Sequence, residues 1–368
     1  MFNKVFFSQT GNGTTALILS YMSFAIGYIA GPFGAIFFGH IGDRKGRKVT
    51  MYASLLMMGI STSIIGILPP AASAGVGVVI VLQLMRLAQC FGRGGTWGGG
   101  ILMAYENVPE NKRSFYAAIP QIGLPIGFGL SSILIAVPTL LLPEDIFFTW
   151  GWRIPFLAAI ILTVIVIRQK GEMMETEDYK KAQAKLEAEE AEGKKHKVGF
   201  IPMVKGYWKT LLLGCGTRWV DGTFYNIFIV WILSYCINWL GMPLIQTYII
   251  TIIACIFKIP FTLFGGWCAQ KLGNTRTFVI GALASAVLSI PTLKVIELSK
   301  GNLAITIIGI VLGWSIAYNL IWAVISSLWS SYFETEVRYS GISFVYHVPS
   351  FLVAGMAVSY THLRAHET

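Results

Sequence analysis

The chain has 368 residues, 55% of them hydrophobic and 12% charged, with a mean hydropathy of +0.65; an ordinary soluble domain carries roughly 25% charged residues. That composition excludes a water-soluble globule built on one apolar core and indicates an all-α membrane protein. The formal net charge of +10 raises nucleic acid as a partner, a reading that the placement of the basic residues removes.

Ten apolar stretches follow one another, at 14–38, 49–69, 76–104, 115–142, 152–168, 209–237, 244–268, 277–296, 303–328 and 341–358. Each is near the ~20 residues that cross a bilayer as a helix. A membrane β-barrel would show short segments alternating apolar and polar, whereas Phe156 to Ile167 is nearly continuous apolar sequence. Basic residues collect in every second loop: Arg44, Lys45, Arg47 and Lys48, then Lys112 and Arg113, the run from Arg168 to Lys209, Lys271 and Arg276, and Arg338. Cytoplasmic loops retain Lys and Arg, so these loops, including 39–48 and 169–208, are placed inside. This distribution explains the net charge without nucleic acid.

The first inside loop reads GHIGDRKGRK, residues 39–48. Gly39, Gly42 and Gly46 allow tight turns, Asp43 can pair or cap a helix start, and Arg47 and Lys48 open the next span. The pattern G-x-x-G-D-R-x-G-R-K resembles the loop signature of the major facilitator superfamily. GPFGAIFFGH before it, RLAQ (86–89), TWGGG (96–100), PQIGLPIG (120–127), WGWRIPFL (150–157) and VRYSG (337–341) are similar to the metabolite:proton symporter branch, which includes shikimate, dicarboxylate and proline/betaine carriers.

The resemblance implies a two-half bundle in a cell membrane, with about ten of twelve helices present. Residues 1–168 are then the N-terminal half (family helices 2 to 6), 169–208 a cytoplasmic linker, and 209–358 the C-terminal half (family helices 7 to 11). The family's first helix is expected to be absent, and SYTHLRAHET at 359–368 is expected to be a non-native tail. It also implies a clasp, in which the loop residues Gly39, Gly42, Asp43, Arg44, Gly46, Arg47 and Lys48 gate the inner side and Asp43 meets the helix start at Tyr339-Ser340-Gly341. The matching second-half loop has Gln270 where the first has Asp43.

In chain order, the third segment carries Arg86 and Gln89 of the R-x-x-Q pattern, which the resemblance links to the central cavity, and Arg93 among glycines. Gly94 with Gly98 and Gly95 with Gly99 make small faces for close helix packing. Thr96 stands where the symporter branch usually has Glu. The linker mixes Glu and Lys at helical spacing, as at Glu177 and Lys181, and is expected to be a solvated helix. Asn12-Gly13-Thr14 matches a glycosylation sequon, a pattern that also arises by chance.

Charges inside spans are costly, and those of the second half are Arg218, Asp221, Lys258 and His347. Arg218 and Asp221 share one helical face within pairing reach, so Asp221 is either a proton-coupling group or half of a fixed pair. The excess of Arg86, Arg218 and Lys258 over acids suits an organic anion as substrate. Trp314, Tyr318 and Trp322 form an aromatic stripe that either packs or holds a quaternary ammonium; Asn226 and Asn319 add polar contacts.

The expected function is secondary transport of a small organic metabolite, a carboxylate, with proton symport in the parent family. The alternatives are an uncoupled facilitator, a proline/betaine-like carrier of zwitterions, or an inactive fragment. No HExxH, paired intramembrane acids or Ser-His spacing indicates an enzyme. The five Cys lie in apolar segments without paired spacing, so neither a metal nor a cofactor is expected.

Overall fold

The structure is a computed structural model that describes residues 5–7, 13–169, 172, 174–192 and 200–350; within these, the side chains of 13–26, 28, 72, 190 and 230 are not described. The tail at 359–368, Asn12 of the sequon and the second half of the 341–358 segment lie outside the described residues.

The helices in order are α1 (Gly13–Lys45), α2 (Arg47–Ile67), α3 (Val76–Glu106), α4 (Glu110–Leu141, containing 3-10 turns), α5 (Gly151–Gln169), the linker helix α6 (Glu177–Ala191), α7 (Phe200–Asn238), α8 (Leu244–Leu272), α9 (Asn274–Leu298), α10 (Leu303–Ser330) and α11 (338–350). Among the described residues eight helices, α2 to α5 and α7 to α10, are long and apolar enough to cross a membrane. In the first half α3 packs on α1 and α2, and α2 on α5; in the second, α10 packs on α8 and α9, while α4 runs along α8 between the halves.

Small residues set the closest crossings. A Cβ on Gly94 would fall 2.3 Å from the Ala35 backbone nitrogen and 2.4 Å from the Gly34 carbonyl carbon, so α1 and α3 meet backbone to backbone. In the second half the core is aromatic and aliphatic, with Trp314, Tyr318, Ile321, Trp322, Ile325 and Trp329 of α10 all at most 2% exposed.

Two boundaries and one side-chain pairing depart from the sequence expectation. The loop at 39–48 is almost wholly helical: α1 continues to Lys45, and Gly46 alone breaks it before α2 starts at Arg47. Gly46 has φ +104, a backbone region that L side chains rarely adopt. The end of the expected linker is already helix, because α7 starts at Phe200 and bends at Tyr207 rather than beginning at 209. Within α6, Glu177 pairs with Lys180 at 2.9 Å instead of Lys181. Both α7 and α10 contain π-helical stretches, Asn226–Trp231 and Val311–Ala317, a local widening often found at functional sites.

Candidate functional site

Two groups of charged side chains are buried, one midway along the second-half helices and one at the inner end. The first begins with Asp221, wholly buried on α7, which pairs with Arg218 one turn earlier. Its other oxygen accepts a hydrogen bond from the Tyr318 hydroxyl at 2.7 Å. Arg218 also donates from Nη2 to Ser350 Oγ at 2.9 Å and lies 4.2 Å above the Tyr346 ring. That ring stacks on Trp97 of α3 with centroids 4.2 Å apart, so the Arg218 group reaches both halves.

Lys258 of α8 sits beside this pair with no exposed surface. Its Nζ donates to Asn319 Oδ1 at 2.8 Å and lies 4.5, 5.0 and 5.9 Å from the ring centres of Tyr318, Trp314 and Trp322. Among the described residues no carboxylate comes within 4.0 Å of it. Asn319 returns its amide to the Lys258 carbonyl and to Thr262, at 2.8 and 2.9 Å. The aromatic stripe therefore faces a cation, and that cation belongs to the protein.

The other candidates lie apart from this cage. Arg86 donates to Gln89 Oε1 at 3.0 Å, and Gln89 donates to Thr62 Oγ1 at 2.7 Å, which keeps the R-x-x-Q pair on the first half. Asn226 donates its amide to its own helix, to the Gly222 carbonyl at 2.7 Å. Thr96 donates to the Gly92 carbonyl at 3.1 Å and approaches Ser54 and Met58 of α2.

At the inner end, Asp43 accepts from the backbone N–H groups of Tyr339 and Ser340, each at 3.0 Å. These are the first free donors of α11, so a side chain of the first half caps a helix of the second. Burial pushes the Asp43 carboxyl up to about 6, against the pull of Arg47 and both N–H groups; it stays mainly ionised at neutral pH. Gly39 and Gly42 leave the room: a Cβ there would fall 2.9 Å from the Ser340 Cα and 2.5 Å from the Tyr339 ring. Arg47, wholly buried, donates to Glu106 at 3.2 Å and to the Thr335 carbonyl at 2.6 Å. Arg44 and Lys45 are exposed, and Lys48 is half-buried.

Several members of this inner group were not singled out in the sequence. Glu106, 2% exposed, accepts from Arg47, from Arg338 Nη1 at 2.9 Å and from Thr176 Oγ1 at 2.7 Å. Glu175 takes the Arg47 N–H at 2.9 Å and the Lys48 N–H at 3.2 Å, and Asp178 pairs with Arg113 at 2.7 Å. The head of the linker is thus docked between the halves, while α6 beyond it alternates exposed and half-buried residues. A lone acid ending an otherwise apolar span was the available signal for Glu106. Nothing comparable marks Glu175 within its acidic run.

A two-half helical bundle with buried charged groups midway along its second-half helices and at the inner end has the architecture of membrane carriers. The chain belongs to the Major Facilitator Superfamily, whose family model matches residues 6–356. It is 33% identical over 362 residues to the inner membrane metabolite transport protein YhjE of Escherichia coli K12, covering 97% of this chain and 80% of that one. The shikimate transporter of the same organism is 29% identical (96% and 79% covered), and the proline/betaine transporter of Salmonella typhimurium 28% (96% and 70%). Among solved structures, the proton:xylose symporter XylE bound to 6-bromo-6-deoxy-D-glucose matches with a TM-score of 0.78 at 16% identity, over 100% of this chain and 83% of that one. The family and the fold are those of membrane transporters.

Proposed function

We propose that the chain carries small organic carboxylates across the membrane, with Lys258 as the anchor for the substrate's negative charge. The observation that supports this is a buried ammonium with no carboxylate within 4.0 Å among the described residues, the neighbouring Asp221 being held by Arg218: a cation removed from water needs a counter-charge. Of its three N–H donors Asn319 takes one, and a carboxylate can take another in a charge-assisted hydrogen bond. Arg218 is less suited, since Asp221 already neutralises it. Shikimate, the substrate in one relative's name, is a carboxylate and the first compound to try.

Purified protein in proteoliposomes is expected to take up labelled shikimate or a similar monocarboxylate saturably. Lys258→Ala removes one charged hydrogen bond, about 1.5–3 kcal/mol, and so raises KM roughly 10- to 100-fold. Absence of saturable uptake for every carboxylate tried, with the protein folded, overturns the reading. An imposed inward proton gradient reads coupling in the same vesicles: accumulation above equilibration means symport, and equilibration alone means facilitated transport.

A further inference from the structure

We propose that Trp314, Tyr318 and Trp322 form a preformed quaternary-ammonium site whose occupant is the protein's own Lys258, so that Lys258 fixes selectivity by keeping free alkylammonium headgroups out. A cation is held by an aromatic face when it lies within about 6 Å of the ring centre, and the Lys258 Nζ meets that condition on three rings at once, at 4.5, 5.0 and 5.9 Å. All three rings are at most 2% exposed, so water does not screen the attraction.

The rings come from one helix and the ammonium from another, α8, which makes the cation an inserted tether rather than a neighbour in sequence. Asn319 Oδ1, a neutral acceptor at 2.8 Å, completes the shell, and the π faces share the charge with Asp221, which accepts from the Tyr318 hydroxyl. An aromatic cluster that merely packs requires no such partner and is equally stable around an aliphatic chain. Among the described residues the Trp314 indole N–H, which is buried, has no hydrogen-bond partner.

Shortening the tether empties the box. Purified full-length Lys258→Ala is expected to show a saturable rise in unfolding temperature with tetramethylammonium chloride or glycine betaine, measured against sodium chloride at equal ionic strength. The parent chain and Lys258→Arg, whose boxes are filled, show none with tetramethylammonium. Adding Trp322→Leu to Lys258→Ala removes one wall and abolishes the rise. A folded Lys258→Ala chain that ignores both compounds overturns the proposal, and so does a parent chain that responds to tetramethylammonium as the variant does. If Lys258→Ala does not fold alone, growth and purification with tetramethylammonium present are expected to rescue it, and a lack of rescue counts against the box.

The role in selectivity rests on the carboxylate reading above, and one further arm tests it: tetramethylammonium, which carries no carboxylate, does not inhibit carboxylate uptake by the parent chain, and inhibition by it overturns the exclusion. Binding to the emptied box and uptake by the parent are separate readouts. Failure of carboxylate transport therefore leaves the binding result standing, and failure of binding leaves the uptake result standing.

Discussion

Arg218 and Asp221 hold each other three residues apart on α7, with Asp221 wholly buried and the Arg218 side chain 12% exposed. Deleting one partner of a buried pair strands the other charge, at a cost of about 3–5 kcal/mol, whereas replacing both with apolar groups is far milder. Asp221→Asn should therefore lower the unfolding temperature clearly, and Arg218→Met with Asp221→Asn should recover most of the loss; a single variant as stable as the parent removes the pair from the stabilising interactions. Asp221 also orients Tyr318 through the 2.7 Å hydrogen bond, so the single variant loosens one wall of the Lys258 cage as well. The pairing was readable beforehand because i, i+3 spacing on a helix fixes a shared face. The identity of the cation facing Trp314, Tyr318 and Trp322 was not, since spacing along α10 says which side chains line up and nothing about which helix lies opposite. Lys258 is 60 residues away from Tyr318 in sequence, and only the packing of α8 on α10 brings them together.

At the scale of elements, α2 takes its cap from elsewhere in the chain, as α11 does from Asp43. Residue Gly46 precedes α2 and offers no side-chain cap; Glu175 of the linker supplies one, accepting from Arg47 and Lys48. A carboxylate at a helix N-terminus satisfies free N–H groups and complements the helix dipole, and losing such a cap costs about 1 kcal/mol. The linker head is in this way bonded to the first half through Glu175, and Asp178 lies between Arg113 of the first half and Arg338 of the second, at 2.7 and 3.6 Å. Glu175→Ala is accordingly expected to loosen the inner seal. Placed in a background without native cysteines, Ser326→Cys reports on it, because Ser326 Oγ donates across the halves to the Ala117 carbonyl at 2.9 Å. Its alkylation rate by a cytoplasmic reagent should rise about five-fold for ~1 kcal/mol; an unchanged rate would leave the linker as a tether only. The span positions followed from hydropathy, and the linker helix from its Glu and Lys spacing. The docking of 175–178 did not, because a run rich in both signs looks the same whether it is solvated or paired with distant charges.

For the whole molecule, the inner seal repeats one device in both halves. Asp43, near the end of α1, caps the start of α11; Gln270, near the end of α8, accepts from the Phe115 N–H at the start of α4 at 3.2 Å. Each half thus reaches across to a helix start of the other, as expected for carriers built from repeats. The devices differ in strength, however. Asp43 is a buried carboxylate with two backbone donors, and hydrogen bonds to charged groups contribute about 1.5–3 kcal/mol each, against about 1 kcal/mol for a neutral one such as that of Gln270. Asp43→Asn keeps one acceptor oxygen and loses the charge, so we expect it to shift the population towards inward-open by roughly ten-fold or more, and Gln270→Ala by about five-fold. Alkylation of Ser326→Cys from the cytoplasmic side measures both. Equal effects would mean that the charge at Asp43 adds nothing to the clasp, and no effect from Asp43→Asn would remove it from the gate. If both caps hold one rigid-body seal, the double variant should open it by close to the product of the single effects, since the sites share no partner and free energies of separate contacts add.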